Sequence, residues 1–382
     1  MGRGRDSVSC PRRFGISRVP AMADPAVAHD DVVATHEEGA RNGRPPLLVV
    51  EPLLAFLDEH GLGEGGVEAA PVGEGHSNVT YLVRRGDVEV VLRRPPRPPL
   101  PPSAHDVLRE ARVLRALAGS ARVPRVLTVC DDETVIGAPF YVMEKLDGHV
   151  VTSELPDALD IPDERRRAGE ELVDALVEIH AADWQAAGLE GFGKPTGYLE
   201  RQLRRFGGLW EHNRTRDVPE VERVGAWLAD NLPQSGPATV VHGDFRMGNV
   251  MYAPETPARL TAIFDWEMAT IGDPLADVGY LCALWVDRDD PPLGKFELSG
   301  VTREEGFLRR EELVARYEER SGRSMTDIRW YQTLALWKSV VFMEGNYKRA
   351  VTGATDDPYL KAFGDGVLEL ARRAEAMALE NG

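Results

Sequence analysis

The amino-acid sequence predicts an α+β fold of two lobes, a small β-rich N-terminal lobe and a larger helical C-terminal lobe. Between Val67 and Leu146, short runs rich in β-branched and aromatic residues (VEAAPV, VTYLVRR, VEVVLRR, VPRVLTVC, APFYVMEKL) are separated by Gly and Pro turns, the punctuation of strands. Beyond Gly148, apolar residues recur at helical spacing over long stretches. One β-rich interruption between Ala238 and Trp266 carries His, Asp, Asn and Asp in its loops. Layers of this kind enclose a cleft with the polar hairpin at its face. The pattern divides the chain into a disordered tail over 1–45, an N-lobe over 46–146 with a five-stranded sheet plus helix, and a helical C-lobe over 147–382.

Taken in order, Met1 to about Arg44 mixes Arg, Gly, Pro, Ala and Asp without periodicity and without an apolar secretory run, which reads as a disordered tail; Met22 is an alternative start. Leu53, Leu54 and Leu57 make Glu51 to His60 an amphipathic helix that Gly61 stops. A three-stranded meander follows, with Gly73-Glu74-Gly75-His76-Ser77-Asn78 as its first turn and a tight hairpin at Gly86-Asp87. The proline-rich RRPPRPPLPP runs extended into a helix from about Ser103 to Ala118, with Ser103 and Asp106 as its N-cap pair. Two more strands end at Asp147-Gly148. Helices are expected over 163–182, 197–213, 218–231, 303–321, 325–351 and 358–379. Asp273 and Asp277 begin another, where carboxylates cap free amides and hold the hairpin.

Composition narrows the function. At 382 residues both lobes can bury a core, and 43% apolar with 28% charged residues is the balance of a globular protein. A net charge of −17 repels phosphate backbones and acidic lipids, so nucleic acid and membrane are excluded as general partners. Three scattered cysteines make neither a disulfide framework nor a zinc cluster and suit a reducing cytoplasm. No apolar run is long enough for a spanning helix.

The chemistry is concentrated in His242-Gly243-Asp244-Phe245-Arg246-Met247-Gly248-Asn249 and Ile263-Phe264-Asp265-Trp266-Glu267. Asp244 and Asn249 have the spacing that protein kinases use between the carboxylate that takes the acceptor proton and the amide that ligates magnesium. Asp265, a hairpin later, supplies a second hard oxygen ligand, while Asp244 stays free of metal as the base. His242 braces the loop. The first lysine is Lys145, so no strand lysine can meet a nucleotide's phosphates; Arg93 occupies that place, with a permanent charge and a bidentate fork. Glu110 shares a helical stripe with Val107, Leu114 and Leu117 and wants a cation there, Arg93 or Arg94, unless it lies at the stripe's edge in water. The glycine turn lets backbone approach an anion, with Ser77 and Asn78 as added donors, or is an ordinary hairpin. His180 reads as a packed, hydrogen-bonded helix residue, and the tryptophans of the helical segments as core.

The pair HGDFRMGN and IFDWE resembles the motif pair of the aminoglycoside phosphotransferase family, whose members share the protein-kinase-like fold with choline kinase and related small-molecule kinases. The resemblance covers roughly residues 50 to 350. It implies Mg2+ with ATP or GTP as phosphoryl donor, a small-molecule hydroxyl as acceptor, and, in FYVMEKLDG, backbone groups of Glu144 and Leu146 facing the purine. GHSNVTYLV, VLRRPP and GDPLADVGYL further resemble the kinase-like domain fused to acyl-CoA dehydrogenases, which points to a hydroxyacyl-CoA-type acceptor. The alternative is a nucleotide-binding pseudokinase module without turnover, motivated by Arg93 in place of lysine and the irregular glycine turn.

Overall fold

The computed structural model describes residues 31–73, 78–98, 100, 105–292, 297–354 and 358–379. Its N-terminal elements are β1 (Val32–Val33), α1 (His36–Gly39), β2 (Leu48–Val49), α2 (Val50–Glu59), β3 (Glu68–Pro71), β4 (Val79–Arg85), β5 (Val88–Arg94), α3 (Val107–Leu117), β6 (Val126–Cys130), α4 (Glu133–Ile136) and β7 (Phe140–Glu144). Strands β3 to β7 form one antiparallel sheet in the order β3-β4-β5-β7-β6. Tyr81, Leu92, Phe140 and Val142 from its inner face pack on Leu53 and Leu57 of α2. Each fully buried side chain of this size contributes roughly 1.5–3 kcal/mol.

Part of the expected tail is folded. From residue 31 onward the chain straps the sheet: β1 pairs with β2 in parallel, and the buried Asp31 carboxylate pairs with Arg97 and, at 2.9 Å, with Arg44. These contacts are distant in sequence and leave no periodic trace. The α3 cap also moves. Its N-cap is Asp106, whose carboxylate accepts the Arg109 amide, and the helix starts at Val107; Ser103 lies outside the described residues.

The C-terminal part contains α5 (Pro162–Ala181), α6 (Tyr198–Asn213), α7 (Pro219–Asp230), β8 (Thr239–Val241), β9 (Val250–Tyr252), β10 (Leu260–Ile263), β11 (Thr270–Gly272), α8 (Leu275–Leu284), α9 (Arg310–Ser321), α10 (Ile328–Val351), α11 (Pro358–Lys361) and α12 (Phe363–Leu379). The helix expected over 303–321 begins only at Arg310: Gly306 adopts φ +106°, with its Cα so close to Pro162 that an added Cβ would meet the Pro162 carbonyl at 2.4 Å. Two short ribbons, β9 with β10 and β8 with β11, frame the polar loops. One core joins α3 to these loops through Val107, Leu114, Phe245, Ile263 and Trp266, and a second unites α6, α7, α10 and α12. No helix among the described residues is long and apolar enough to cross a membrane.

Candidate active site

Strand β8 delivers His242, Gly243 and Asp244 into the cleft, and β9 starts from Asn249, so the loop between the two strands is held at both ends. Gly243 has φ +88°, and a Cβ there would lie 2.9 Å from Met268 Cβ and its carbonyl oxygen, which is why glycine stands at this position. The His242 amide donates to Asp277 Oδ2 at 2.6 Å and the Gly243 amide to Asp277 Oδ1 at 2.8 Å. His180 Nε2 sits 3.2 Å from the same Oδ2, and its Nδ1 lies 2.6 Å from the Tyr317 hydroxyl. Burial pushes the Asp277 carboxyl up, but His180, His242 and the Gly243 amide outweigh it and hold the group below the usual carboxylate range. Burial pushes His180 down, Asp277 opposing, so a neutral imidazole faces an ionised carboxylate. Asp277→Ala leaves two buried amides and one imidazole without their acceptor and should destabilise the fold by on the order of 3 kcal/mol in denaturant titration.

His242 itself links the two halves of the motif. Its Nε2 is 2.9 Å from the Phe264 carbonyl, which can only accept, so Nε2 carries the proton and Nδ1 accepts the Asp244 amide at 3.2 Å. The Phe264 amide in turn donates to the Asn249 carbonyl at 2.8 Å. Asp265 is therefore one residue beyond a bond to Asn249. It adopts φ +61°, the left-handed region, which a non-glycine residue enters at some cost and which aims the carboxylate back across the cleft.

Asp244 is engaged on both oxygens. Asn249 Nδ2 donates to Asp244 Oδ2 at 2.8 Å and to its carbonyl at 2.8 Å, and the Tyr280 hydroxyl donates to Oδ1 at 2.5 Å. Burial and then the Asp244 charge raise the Tyr280 phenol well above its ordinary value, so it stays a donor. Arg246 Nε stands 3.5 Å from Oδ1. Because both groups that Nδ2 meets are acceptors, the amide orientation is fixed by chemistry, with Oδ1 on the side away from Asp244.

Arg93 ties the sheet to this hairpin. Its Nε donates to Glu110 Oε2 at 2.9 Å and its Nη2 to Asp265 Oδ1 at 2.8 Å. Glu110 is only 2% exposed, so it lies inside the stripe rather than at its edge in water, and it also accepts the Trp266 amide and the Asn78 side chain, each at 3.3 Å. Desolvation pulls the Arg93 guanidinium down, but Glu110, Tyr141 and Asp265 raise it above its ordinary value. Arg94 is turned the other way, onto the carbonyls of Pro95, Leu47 and Ile136. Arg93 is thus the partner of Glu110.

The remaining expected positions fall unevenly. Glu144 ends β7; its amide donates to the Arg125 carbonyl at 3.0 Å and its carboxylate accepts the Arg125 amide at 2.8 Å. Leu146 follows, half-buried, in the connector. Ser77 lies outside the described residues, and Asn78 is spent on Glu110. Sequence reasoning missed Tyr280, Arg246 and Lys338. The signal for Lys338 was present: Tyr331, Leu334, Ala335 and Lys338 recur at helical spacing on one face of α10, and with Tyr198 and Tyr280 they line a narrow cavity beside Gly243 and Asp277.

A strand-to-helix ion pair above an Asp-and-Asn loop, with a second Asp one hairpin on, defines a kinase-like phosphotransferase fold. The model of the phosphotransferase enzyme family matches residues 68–319, and the chain belongs to that family. It is 34% identical over 334 residues to acyl-CoA dehydrogenase family member 10 of Mus musculus, covering 86% of this chain but 31% of that longer protein. The crystal structure of a candidate aminoglycoside phosphotransferase from Ralstonia eutropha superposes with a TM-score of 0.75 at 29% identity, covering 86% of this chain and 97% of the other. The fold also matches aminoglycoside phosphotransferase APH(4)-Ia in its complex with AMP-PNP and hygromycin B, at TM-score 0.54 and 18% identity over 84% of this chain and 98% of the other.

Proposed function

We propose that the protein transfers the terminal phosphoryl group of ATP or GTP, bound with Mg2+, to a hydroxyl of a small molecule. The observation that carries this is the pairing of Asn249 with Asp244 and of Arg93 with Asp265, on loops that the bond from the Phe264 amide to the Asn249 carbonyl ties together. The donor set fits magnesium: a carboxylate at Asp265 and an amide oxygen at Asn249 are hard ligands, and Mg2+ commonly takes one or two such groups and completes its shell with phosphate oxygens and water. When bound, the cation would neutralise charge on the transferring group. Arg93 supplies fixed positive charge towards the phosphates, and Glu110 holds it there. Asn249 orients Asp244, which accepts the acceptor's proton. Glu144 and Leu146 would present backbone to the purine. Cys130 and Cys282 are free and buried, which suits a reducing cytoplasm.

The relative's name supports an acyl-type acceptor, and a hydroxyacyl-CoA is our first choice. Asp265→Asn should weaken nucleotide binding in the presence of Mg2+ by about tenfold or more and leave metal-free binding little changed, by titration calorimetry. Equal magnesium dependence in both proteins would remove Asp265 from the metal site. The rival is a binding module without turnover, favoured by the direct Arg93 to Asp265 ion pair, which occupies both groups. Acceptor-dependent consumption of ATP over a panel of hydroxyacyl-CoAs, sugars, amino alcohols and aminoglycosides separates the two.

A further inference from the structure

We propose that the acceptor is an anionic hydroxy compound whose acidic group is bound by Lys338 while its hydroxyl takes the seat of the Tyr280 phenol on Asp244. This rests on the phosphotransferase reading but takes a free hydroxy acid, rather than its CoA thioester, as the second substrate, because a thioester leaves Lys338 no acidic group on the hydroxyl-bearing chain. Tyr280 places a hydroxyl 2.5 Å from Asp244 Oδ1, where an acceptor hydroxyl must lie to lose its proton to that carboxylate. In the step so arranged, the acceptor oxygen bonds to the γ-phosphorus, the bond from that phosphorus to the β–γ bridging oxygen breaks, the acceptor's proton passes to Asp244, and a nucleoside diphosphate leaves.

Lys338 and Tyr280 line one narrow cavity, which Gly243, next to Asp244, also borders. The Lys338 ammonium is half-buried, lies 4.8 Å over the Phe206 ring, and among the described residues has no hydrogen bond or ion pair. The charges that act on it are Asp277, Arg205 and Asp244. Neither acid pairs with it directly: the Asp277 oxygens meet two amides and His180, and those of Asp244 meet Tyr280 and Asn249. Arg205 adds like charge. Arg93, Arg216 and Arg310, half-buried like it, meet carboxylates, and the buried Arg94 meets three backbone carbonyls; Lys338 has neither kind of partner among the described residues. A desolvated ammonium without a counter-ion is costly, and an incoming anion removes that cost, whereas a polycationic acceptor would add to it. Burial pushes the Lys338 ammonium down to about 8, so it is charged at neutral pH and loses its charge just above.

The test uses the full chain with MgATP and three acceptors of matched length: a hydroxy carboxylate, its amide, and an amino alcohol. Wild-type protein should prefer the carboxylate, and its KM for it should rise as pH passes about 8. Lys338→Met should raise that KM about 10- to 100-fold, flatten the pH dependence and leave nucleotide affinity intact, and Lys338→Glu should shift preference to the amino alcohol. Wild-type preference for the amino alcohol or the amide, or an unchanged carboxylate KM in Lys338→Met, overturns the proposal. Calorimetric binding of the carboxylate, measured beside turnover, separates the two readings. Lys338-dependent binding without any turnover sinks phosphoryl transfer and keeps the anion site; absence of carboxylate binding sinks the anion site.

Discussion

Asp244→Ala is expected to lower acceptor-dependent turnover by about 10²-fold or more while MgATP affinity changes little. The residue touches the proposed metal set only through the Asn249 amide nitrogen: its oxygens meet Asn249 Nδ2 and the Tyr280 hydroxyl, and its amide meets His242. Its loss removes the proton acceptor and frees the Asn249 amide to reorient, so a smaller secondary effect on metal affinity should accompany the main one. Asp244→Asn tests the division of roles, because it keeps the shape but presents an amide where the base must be. Steady-state kinetics with nucleotide held saturating gives the turnover term, and calorimetry gives the affinity. Wild-type turnover in either variant would mean that another group takes the proton.

Arg93→Met should be the most damaging change at the lobe junction. It strips the cation from a carboxylate that is 2% exposed, and breaking a buried pair in this way typically costs ~3–5 kcal/mol. Stability should fall by that order in denaturant, and nucleotide affinity with it. Arg93→Lys separates the two contributions. A lysine restores the single bond to Glu110 but lacks the fork that reaches Asp265, so stability should largely return while the sheet-to-hairpin bridge is lost. A lysine variant as unstable as the methionine one would show that the fork, rather than the charge, holds Glu110.

How much of this was legible follows from the range of the interactions. The motif pair, the strand order up to β5 and the Glu110 stripe are local patterns, and the sequence already placed Arg93 or Arg94 opposite Glu110. Choosing between them required the sheet, because neighbours on a strand face opposite sides: Arg93 looks to α3 and the hairpin, Arg94 to the carbonyls of Leu47 and Ile136. The strap over residues 31–49 depends on Asp31 meeting Arg97, and the late start of α9 depends on Gly306 abutting Pro162, both far apart in sequence. Tyr280 sits on α8, where nothing in its neighbours marks a tyrosine aimed at Asp244. His180 read correctly as packed, and Asp277 as a helix-starting acid that holds the hairpin, but nothing in the sequence joined the two as partners.

Gly279, the residue before Tyr280, lets α8 lie directly on the backbone of α10, where even a methyl group would meet the Tyr331 main chain at 2.5 Å. Contact this intimate locks the sliding position of one helix against the other. The spacing between Tyr280, which meets Asp244, and Tyr331 and Lys338 across the cavity is therefore set by the two helix backbones rather than by side chains that could yield.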